Sequence, residues 1–230
     1  MSQPIYLFIF AHPDDESFYA GGLIQRVATA HVISVTKGEK GIKRSTDSPI
    51  TIGNTREREF QQATTILGAD SASIYGYPDG ALHTIPKEDL VNKLLSTIRY
   101  LKPTALVTFG DEPFYNHLDH LTTEAIVEHV WKLSRVPLLI KRAYHHDDLK
   151  DLQTLRLGQR NITKNHRNHH HPLTSYQTGN TSITLTQQEI DRKTQAIMTH
   201  ASQEPGTLKE VLRTQTQEHY AVFQQPLGNT

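Results

Sequence analysis

The chain has no cysteine among its 230 residues, so disulfide bonds and thiolate metal ligands are excluded. Lys and Arg together number 24, as do Asp and Glu, and this balance gives no basic field to attract nucleic acid or anionic lipid. No apolar run reaches the roughly 18 residues that a membrane helix requires, and residues 1–4 carry no charged leader. We therefore expect a cytoplasmic protein with a small-molecule substrate, no membrane insertion and no nucleic-acid partner.

Strand-like and helix-like segments alternate along most of the chain. Short apolar runs predict five strands: Ile5–Phe10, His31–Val35, Ser73–Tyr75, Ala105–Phe109 and Leu138–Tyr144. Helical periodicity predicts four helices between them: Ser17–Thr29, Thr55–Leu67, Lys87–Leu101 and Thr122–Leu133. This alternation predicts an α/β fold that is Rossmann-like, with a mostly parallel sheet covered by helices on both faces. One domain spanning residues 1–230 is sufficient for a chain of this length.

The alternation fails between Thr154 and Ser182, where polar residues replace any apolar periodicity. We interpret residues 154–182 as a long exposed loop and a candidate lid that varies with substrate. The loop contains His166 and the run His169–His171. We interpret these histidines as a surface tract that binds metal only adventitiously, and we assign them no catalytic role.

The last fifty residues return to regular patterns. Residues Ser182–Leu185 predict an edge strand, and Thr186 with Glu189 forms the capping box that should open a helix over Ile190–Met198. The tail, Leu208–Phe223, predicts a final helix.

The stretch Ala11–Glu16, AHPDDE, combines an imidazole with three carboxylates directly after the first predicted strand. A dinucleotide-binding protein would place a glycine-rich phosphate loop here, whereas carboxylates would repel a pyrophosphate. A nicotinamide or flavin dehydrogenase is therefore not expected. Such close negative charges need a counter-charge, and a metal ion is the simplest one.

A second group of candidate ligands, Tyr115–His120, follows the fourth predicted strand. If a helix begins near Asp119, then His117 and His120 can point to the same side of its first turn. The loops at 11–16, 36–41, 76–80 and 110–120 each follow a predicted strand, so they should converge at the carboxyl edge of the sheet. Three protein ligands and an open water position are typical of catalytic zinc. The alternative is a set of helix caps and core histidines.

Six motifs occur in a fixed order along the chain: AHPDDE at 11–16, TKGEKG at 36–41, Arg56 with Glu59, YPDG at 77–80, HLDH at 117–120, and Lys193 followed by HASQ at 200–203. This set resembles the LmbE-like, or PIG-L, family of zinc-dependent deacetylases, which act on N-acetylglucosamine units and related molecules. The chain departs from the family at Leu118, where proline is usual. That change alters backbone stiffness without removing a ligand.

The resemblance implies a metal site and its chemistry. His12, Asp15 and His120 would bind one Zn²⁺ ion per chain, although another divalent ion is left open. Asp14 would be the general base. His117, if protonated, would donate to the oxyanion of the tetrahedral intermediate.

Further roles follow from the resemblance. Asp119 would orient an imidazole, and Glu39, Arg56 and Asp79 would contact sugar hydroxyls, with Tyr115 as a helper. Without the resemblance, Arg56 would be interpreted as half of a helix-surface ion pair and Asp79 as a turn residue.

The sequence leaves three functions open. The first is hydrolysis of the N-acetyl group of an amino sugar or its conjugate, the second is a metallohydrolase of another class such as a phosphoesterase, and the third is a non-catalytic sugar-binding module. The aglycone and the presence of a homo-oligomer are also left open.

Overall fold

The computed structural model describes residues 3–41, 47–110, 117–144, 179–203 and 215–225. Within them lies one seven-stranded sheet, with strands β1 Ile5–Phe10, β2 Thr29–Thr36, β3 Ser71–Tyr77, β4 Ala105–Thr108, β5 Leu138–Ala143, β6 Thr181–Thr184 and β7 Gln217–Gln224. The order across the sheet is β3-β2-β1-β4-β5-β7-β6. Strands β1 to β5 pair in parallel, and β7 runs antiparallel to both β5 and β6.

Five α-helices connect and cover these strands: α1 Asp15–Ile24, α2 Pro49–Leu67, α3 Lys87–Leu101, α4 Leu118–Leu133 and α5 Gln187–Thr199. Helices α1, α2 and α5 pack together, as do α3 and α4. The chain adds β2 and β3 on one side of β1 and then β4 and β5 on the other. Because such crossovers are right-handed, the two groups of helices lie on opposite faces of the sheet. The predicted Rossmann-like α/β class is confirmed. No helix of the described part is long and apolar enough to cross a membrane.

The apolar run of β1 explains its central position in the sheet. Residues Leu7–Phe10 are completely or almost completely buried, as expected for a parallel strand covered on both faces. Strand β1 has β2 on one side and β4 on the other. The sheet is therefore extended first on the β2 side of β1 and then on its β4 side. The crevice beyond the carboxyl ends of β1 and β4, where the strand order reverses, is the usual ligand position in such a sheet.

Helix α1 is shorter than predicted and bends in its middle. It ends at Ile24, and Thr29, the last residue of the predicted helix, begins β2 instead. At Ala20 the backbone leaves the helical region, with φ −142° and ψ 15°. The N–H groups of Gly22 and Leu23 donate to the buried carboxylate of Glu218 at 2.8 and 3.0 Å, so the amides just beyond the bend are satisfied.

Several other boundaries differ from the sequence prediction, most of all the start of α2 and the predicted final helix. Helix α2 begins at Pro49 rather than Thr55, because Ser48 caps it by accepting the Thr51 N–H and proline is favoured at the first helical position. The final helix predicted for Leu208–Phe223 is wrong from residue 217 onwards, since Gln217–Gln224 is strand β7. The burial that β7 gains between β5 and β6 outweighs any local helical preference.

The remaining predictions divide into confirmed and untested ones. The capping box of Thr186 and Glu189 is present, and the predicted edge strand is β6. Residues 154–178, with the histidine tract, and residues 208–214 lie outside the described part of the chain. The lid and the extent of the domain over residues 1–230 therefore stay predictions.

Candidate active site

The candidate site lies at the carboxyl ends of the neighbouring strands β1 and β4, where the strand order of the sheet reverses. The AHPDDE stretch leaves β1 and enters α1, and HLDH forms the start of α4. The loops at 36–41 and 79–80 close the site on the β2 and β3 side. They bring Glu39 and Asp79 into hydrogen-bond contact with each other, and Asp79 into contact with His12. The predicted convergence therefore occurs among the loops that the structure describes.

Three of the predicted ligand side chains meet at one point. His12 Nδ1 lies 3.1 Å from His120 Nε2. Asp15 Oδ2 lies 3.4 Å from His12 Nδ1, and Asp15 Oδ1 lies 3.4 Å from His120 Nε2. Two ligands of a tetrahedral zinc ion, each about 2.0–2.1 Å from the metal, are separated by roughly 3.3–3.4 Å. The donor set and its spacing therefore fit zinc or a similar divalent ion.

The other ring nitrogen of His12 points towards two more carboxylates. His12 Nε2 lies 3.2 Å from Asp79 Oδ1 and 3.3 Å from Asp119 Oδ2. Asp119 is completely buried and accepts the N–H groups of Gly80 and Leu82. A carboxylate that accepts the outer N–H of a metal-binding histidine fixes the tautomer and orientation of the ring.

Two other groups of side chains also bring potential ligand atoms within 4.8 Å of one another: His12, His117 and His120, and His12, Asp79 and Asp119. We favour the set of His12, Asp15 and His120. It leaves His12 Nε2 to donate to Asp119 and Asp79, whereas a metal at that nitrogen would compete with the backbone donors on Asp119.

The imidazoles and carboxylates of the candidate site form a concentrated cluster of charges. Burial opposes protonation of His12, but hydrogen bonds to Asp119, Asp15 and Asp79 outweigh it and raise the pKa of His12 well above its usual value. Burial likewise opposes ionisation of Asp15 and Asp79, yet the nearby imidazoles lower the pKa of Asp15 and bring that of Asp79 to about 2. The carboxylates therefore stay ionised and suit a cation.

Asp14 lies beside this cluster with its backbone in a rare conformation. Its φ is +124°, a region that costs a residue with a side chain on the order of 1–3 kcal/mol. The Asp14 side chain contacts Arg56, with its Oδ1 3.3 Å from Arg56 Nη2. Asp14 keeps 15% of its side-chain surface exposed, against 6% for Asp15.

The predicted sugar contacts are largely occupied by the protein itself. Arg56 is buried, and its guanidinium donates to the carbonyl groups of Gly38 and Pro13. Gly38 has φ +65° and lies so close to this guanidinium that a Cβ atom there would be 2.4 Å from Arg56 Cζ. Asp79 accepts the Lys40 N–H, and Glu39 accepts the Asp79 N–H. Tyr115 lies outside the described residues.

Sequence reasoning assigned no role to a second layer of buried polar residues. Glu16 bonds to His200, and Glu59 bonds to the backbone and hydroxyl of Ser202. All four occur within the ordered motifs, but their partners are more than 140 residues apart in the chain. Only the fold could pair them.

The match to known proteins follows the same segments. Residues 7–131, which include the AHPDDE and HLDH motifs, match the family described as "PIG-L: GlcNAc-PI de-N-acetylase". The chain belongs to this family. The matched range extends from β1 to the last turns of α4 and so contains every predicted metal ligand.

Two curated relatives of this chain are named for deacetylation of different conjugates. A 1D-myo-inositol 2-acetamido-2-deoxy-alpha-D-glucopyranoside deacetylase of Thermobispora bispora is 27% identical over 60% of this chain and 57% of its own length. A probable N-acetyl-alpha-D-glucosaminyl L-malate deacetylase 2 of Bacillus anthracis is 32% identical over 53% of this chain and 57% of its own. The chain thus spans little more than half the length of these relatives.

Solved structures with this PIG-L fold have more than one activity. An N,N'-diacetylchitobiose deacetylase of Pyrococcus horikoshii aligns over 97% of this chain and 85% of its own, with a TM-score of 0.71 and 18% identity. A 4-carboxy-2-hydroxymuconate hydratase, GalB, of Pseudomonas putida aligns over 99% of both chains, with a TM-score of 0.70 and 17% identity. At these identities the likeness establishes the fold alone.

Proposed function

We propose that the protein is a metal-dependent hydrolase that removes the N-acetyl group from an N-acetylglucosamine-type sugar conjugate. One observation carries the proposal: the side chains of His12, Asp15 and His120 approach one another pairwise to 3.1–3.4 Å through potential ligand atoms, and the neighbouring Asp14 side chain is more exposed than that of Asp15. The family match and the deacetylase names of the curated relatives favour this reaction over others.

His12, Asp15 and His120 would hold the ion, which we propose to be one zinc per chain. Bound zinc supplies the Lewis acidity that lowers the pKa of a coordinated water towards 7. A structural neighbour is a zinc-inhibited form of a teicoplanin deacetylase, so the metal requirement of this chain should be tested over a range of zinc concentrations.

Asp14 is the proposed general base. Its carboxylate would take a proton from the attacking water and then return it to the leaving amine, which suits a side chain that is exposed to the crevice yet not a ligand. Arg56, 3.3 Å from Asp14 Oδ1, would restrict the rotation of this carboxylate. Arg56 would thus position the base, whereas its contact with a sugar hydroxyl stays a prediction.

His117 is the proposed donor to the oxyanion. Its Nδ1 accepts the Asp119 N–H at 3.3 Å, so the proton of the neutral ring lies on Nε2. Burial and the neighbouring His12 and His120 lower the pKa of His117. We therefore propose that the neutral imidazole donates through Nε2, in place of the protonated ring expected from the sequence.

Two features bear on the alternatives. A phosphoesterase needs cationic groups for phosphate, but Arg56 is held by backbone carbonyls and Asp14, and Lys37 pairs with Glu57 at 2.7 Å. Hydration of an unsaturated carboxylate, the activity named for the hydratase neighbour, remains a distinct chemistry on the same fold.

The test is a substrate panel incubated with zinc-loaded and chelated protein. It contains N-acetylglucosamine, diacetylchitobiose, and the malate and inositol conjugates of N-acetylglucosamine. Release of acetate and free amine in equal amounts, dependent on metal, supports the proposal. Hydrolysis of p-nitrophenyl phosphate or hydration of 4-carboxy-2-hydroxymuconate without acetate release from the panel would replace it. Binding of the sugars without turnover at any zinc level would indicate a sugar-binding module.

A further inference from the structure

Glu16 carries a fully buried carboxylate whose described partners are all hydrogen-bond donors. Its Oε2 accepts the Asp14 N–H at 3.0 Å, and its Oε1 accepts the Ser17 hydroxyl at 2.6 Å and His200 Nε2 at 2.9 Å. A carboxylate with this set of donors is rigidly held. Glu16 therefore connects the backbone of the proposed base to a histidine 184 residues further along the chain.

His200 comes from the segment after α5 that the proposed reaction does not use. It is 1% exposed, and its carbonyl accepts the Gln203 N–H, which closes a turn over residues 200–203. Among the described residues its Nδ1 has no hydrogen-bond partner, so the one side-chain bond of His200 is the bond to Glu16. The proton of the neutral ring therefore lies on Nε2.

Asp14 is the residue that this arrangement restrains. A φ of +124° is rarely adopted by a residue with a side chain, and it persists only where the surroundings hold it. Two contacts do so here: Glu16 accepts the Asp14 N–H, and Arg56 donates to the carbonyl of Pro13 on the other side of the same peptide bond. Both hydrogen-bonding groups of the peptide before Asp14 are thus bound to side chains.

From this geometry we infer that Glu16 and His200 form a positioning pair for the general base. His200 fixes the Glu16 carboxylate, and Glu16 fixes the Asp14 N–H. The resulting backbone conformation holds the Asp14 side chain in place beside Arg56. The role of Asp14 as a base rests on the proposed function, whereas the restraint of its backbone by Glu16 and His200 does not.

The test compares two amides at position 200. In His200→Gln the amide nitrogen can occupy the place of Nε2 and still donate to Glu16, whereas in His200→Asn it is one methylene shorter and cannot reach. We expect His200→Asn to lower kcat by about 10- to 100-fold, as for a reacting group displaced by a fraction of an ångström. KM and zinc content should stay within about twofold of wild type, and His200→Gln should restore most of kcat.

Ser202→Ala is the matched control. It removes a partly buried hydrogen bond to Glu59 from the same segment without changing the bonds of Glu16 or Asp14, so it should lower the melting temperature and leave kcat unchanged. Equal kcat in His200→Asn and wild type, or loss of zinc from His200→Asn, would overturn the inference. If His200→Asn does not fold, Glu16→Gln is measured in its place with the same expected loss of kcat. Its amide NH₂ group would face a hydrogen-bond donor where the Glu16 carboxylate accepts one.

A readout without catalysis separates this inference from the proposed function. In the metal-free protein, hydrogen exchange of the Asp14 amide, measured by NMR, should be faster in His200→Asn than in wild type or Ser202→Ala. If wild type releases no acetate but this difference is present, the function is wrong and the positioning pair stands. If acetate is released and Asp14 exchange is the same in all three proteins, the pair is wrong and the function stands.

Discussion

The adjacent carboxylates of Asp14 and Asp15 have opposite surroundings. Asp15 is enclosed by His12 and His120, and burial, although it favours the neutral acid, is outweighed so that its pKa is lowered. Asp14 faces Arg56 and keeps more of its surface exposed. Because the two carboxylates have different partners, we propose that Asp15 binds the ion while Asp14 accepts a proton.

Substitution of each aspartate by asparagine tests this division. Asp15→Asn replaces an anionic ligand with a neutral amide, so zinc binding should weaken substantially. Asp14→Asn should keep about one zinc per chain while the deacetylation rate falls by about 10²- to 10⁴-fold, as for a lost general base. Zinc is measured by elemental analysis and the rate by acetate release. Loss of zinc from Asp14→Asn but not from Asp15→Asn would reverse the two assignments.

At the level of residues, the sequence predicted the groups that lie close together in the chain. His12 and Asp15 could be paired because both belong to the AHPDDE stretch, and His117 and His120 because they lie three residues apart at a predicted helix start. The joining of the two pairs followed from the rule for parallel sheets. The contact of Glu16 with His200 could not be predicted, since no local periodicity links residues 184 positions apart.

Helix α5 and strand β7 are joined by a buried ion pair. Lys193 Nζ lies 2.6 Å from Glu218 Oε1, and both side chains are completely buried. Burial lowers the pKa of Lys193, while Lys193 helps to keep Glu218 ionised against its own burial. Because the same carboxylate accepts the amides after the bend of α1, this one contact connects α1, α5 and β7.

Removal of one partner should therefore be costly. Lys193→Met leaves a buried carboxylate without its counter-charge and should lower the free energy of unfolding by about 3–5 kcal/mol. The control is Lys132→Met on α4, which breaks an exposed pair with Glu128 and should cost less than about 1 kcal/mol. Urea denaturation of both variants measures the difference. Similar losses in the two variants would mean that the buried pair does not stabilise the fold.

The same pair explains why β7 was predicted as a helix. Strand β7 runs antiparallel between β5 and the edge strand β6, and it carries Glu218 and His219 in buried positions. Charged residues inside a strand remove the alternation by which half-buried strands are recognised. Strand β5 also carries buried charged residues, Lys141 and Arg142, but it begins with the apolar run Leu138–Ile140, by which it was predicted.

The proposed ligands come from two separate parts of the molecule. His12 and Asp15 follow β1, whereas His120 belongs to α4, more than 100 residues further along the chain. An ion bound there would link the two halves of the sheet at β1 and β4, where the strand order reverses. Its binding should therefore stabilise the whole fold and not only the site.

Thermal unfolding with and without zinc tests this expectation. A ligand at about 100 times its Kd stabilises the folded state by about 2.7 kcal/mol, which raises Tm by roughly 5–10 °C for a chain of this size. The shift should disappear in Asp15→Asn and persist in His129→Asn, which changes an exposed histidine on α4. A shift of equal size in both variants would locate the bound zinc elsewhere.

The position of β7 also affects the order in which the protein assembles during synthesis. Strand β6 and helix α5 leave the ribosome before β7, yet β6 joins the sheet only through β7. Until β7 emerges, β6 has no strand to pair with, and Lys193 would have to be buried without Glu218. Docking of α5 is therefore disfavoured until residues 217–224 are made. Since His200 directly follows α5, the segment that restrains Asp14 would reach its place late in translation.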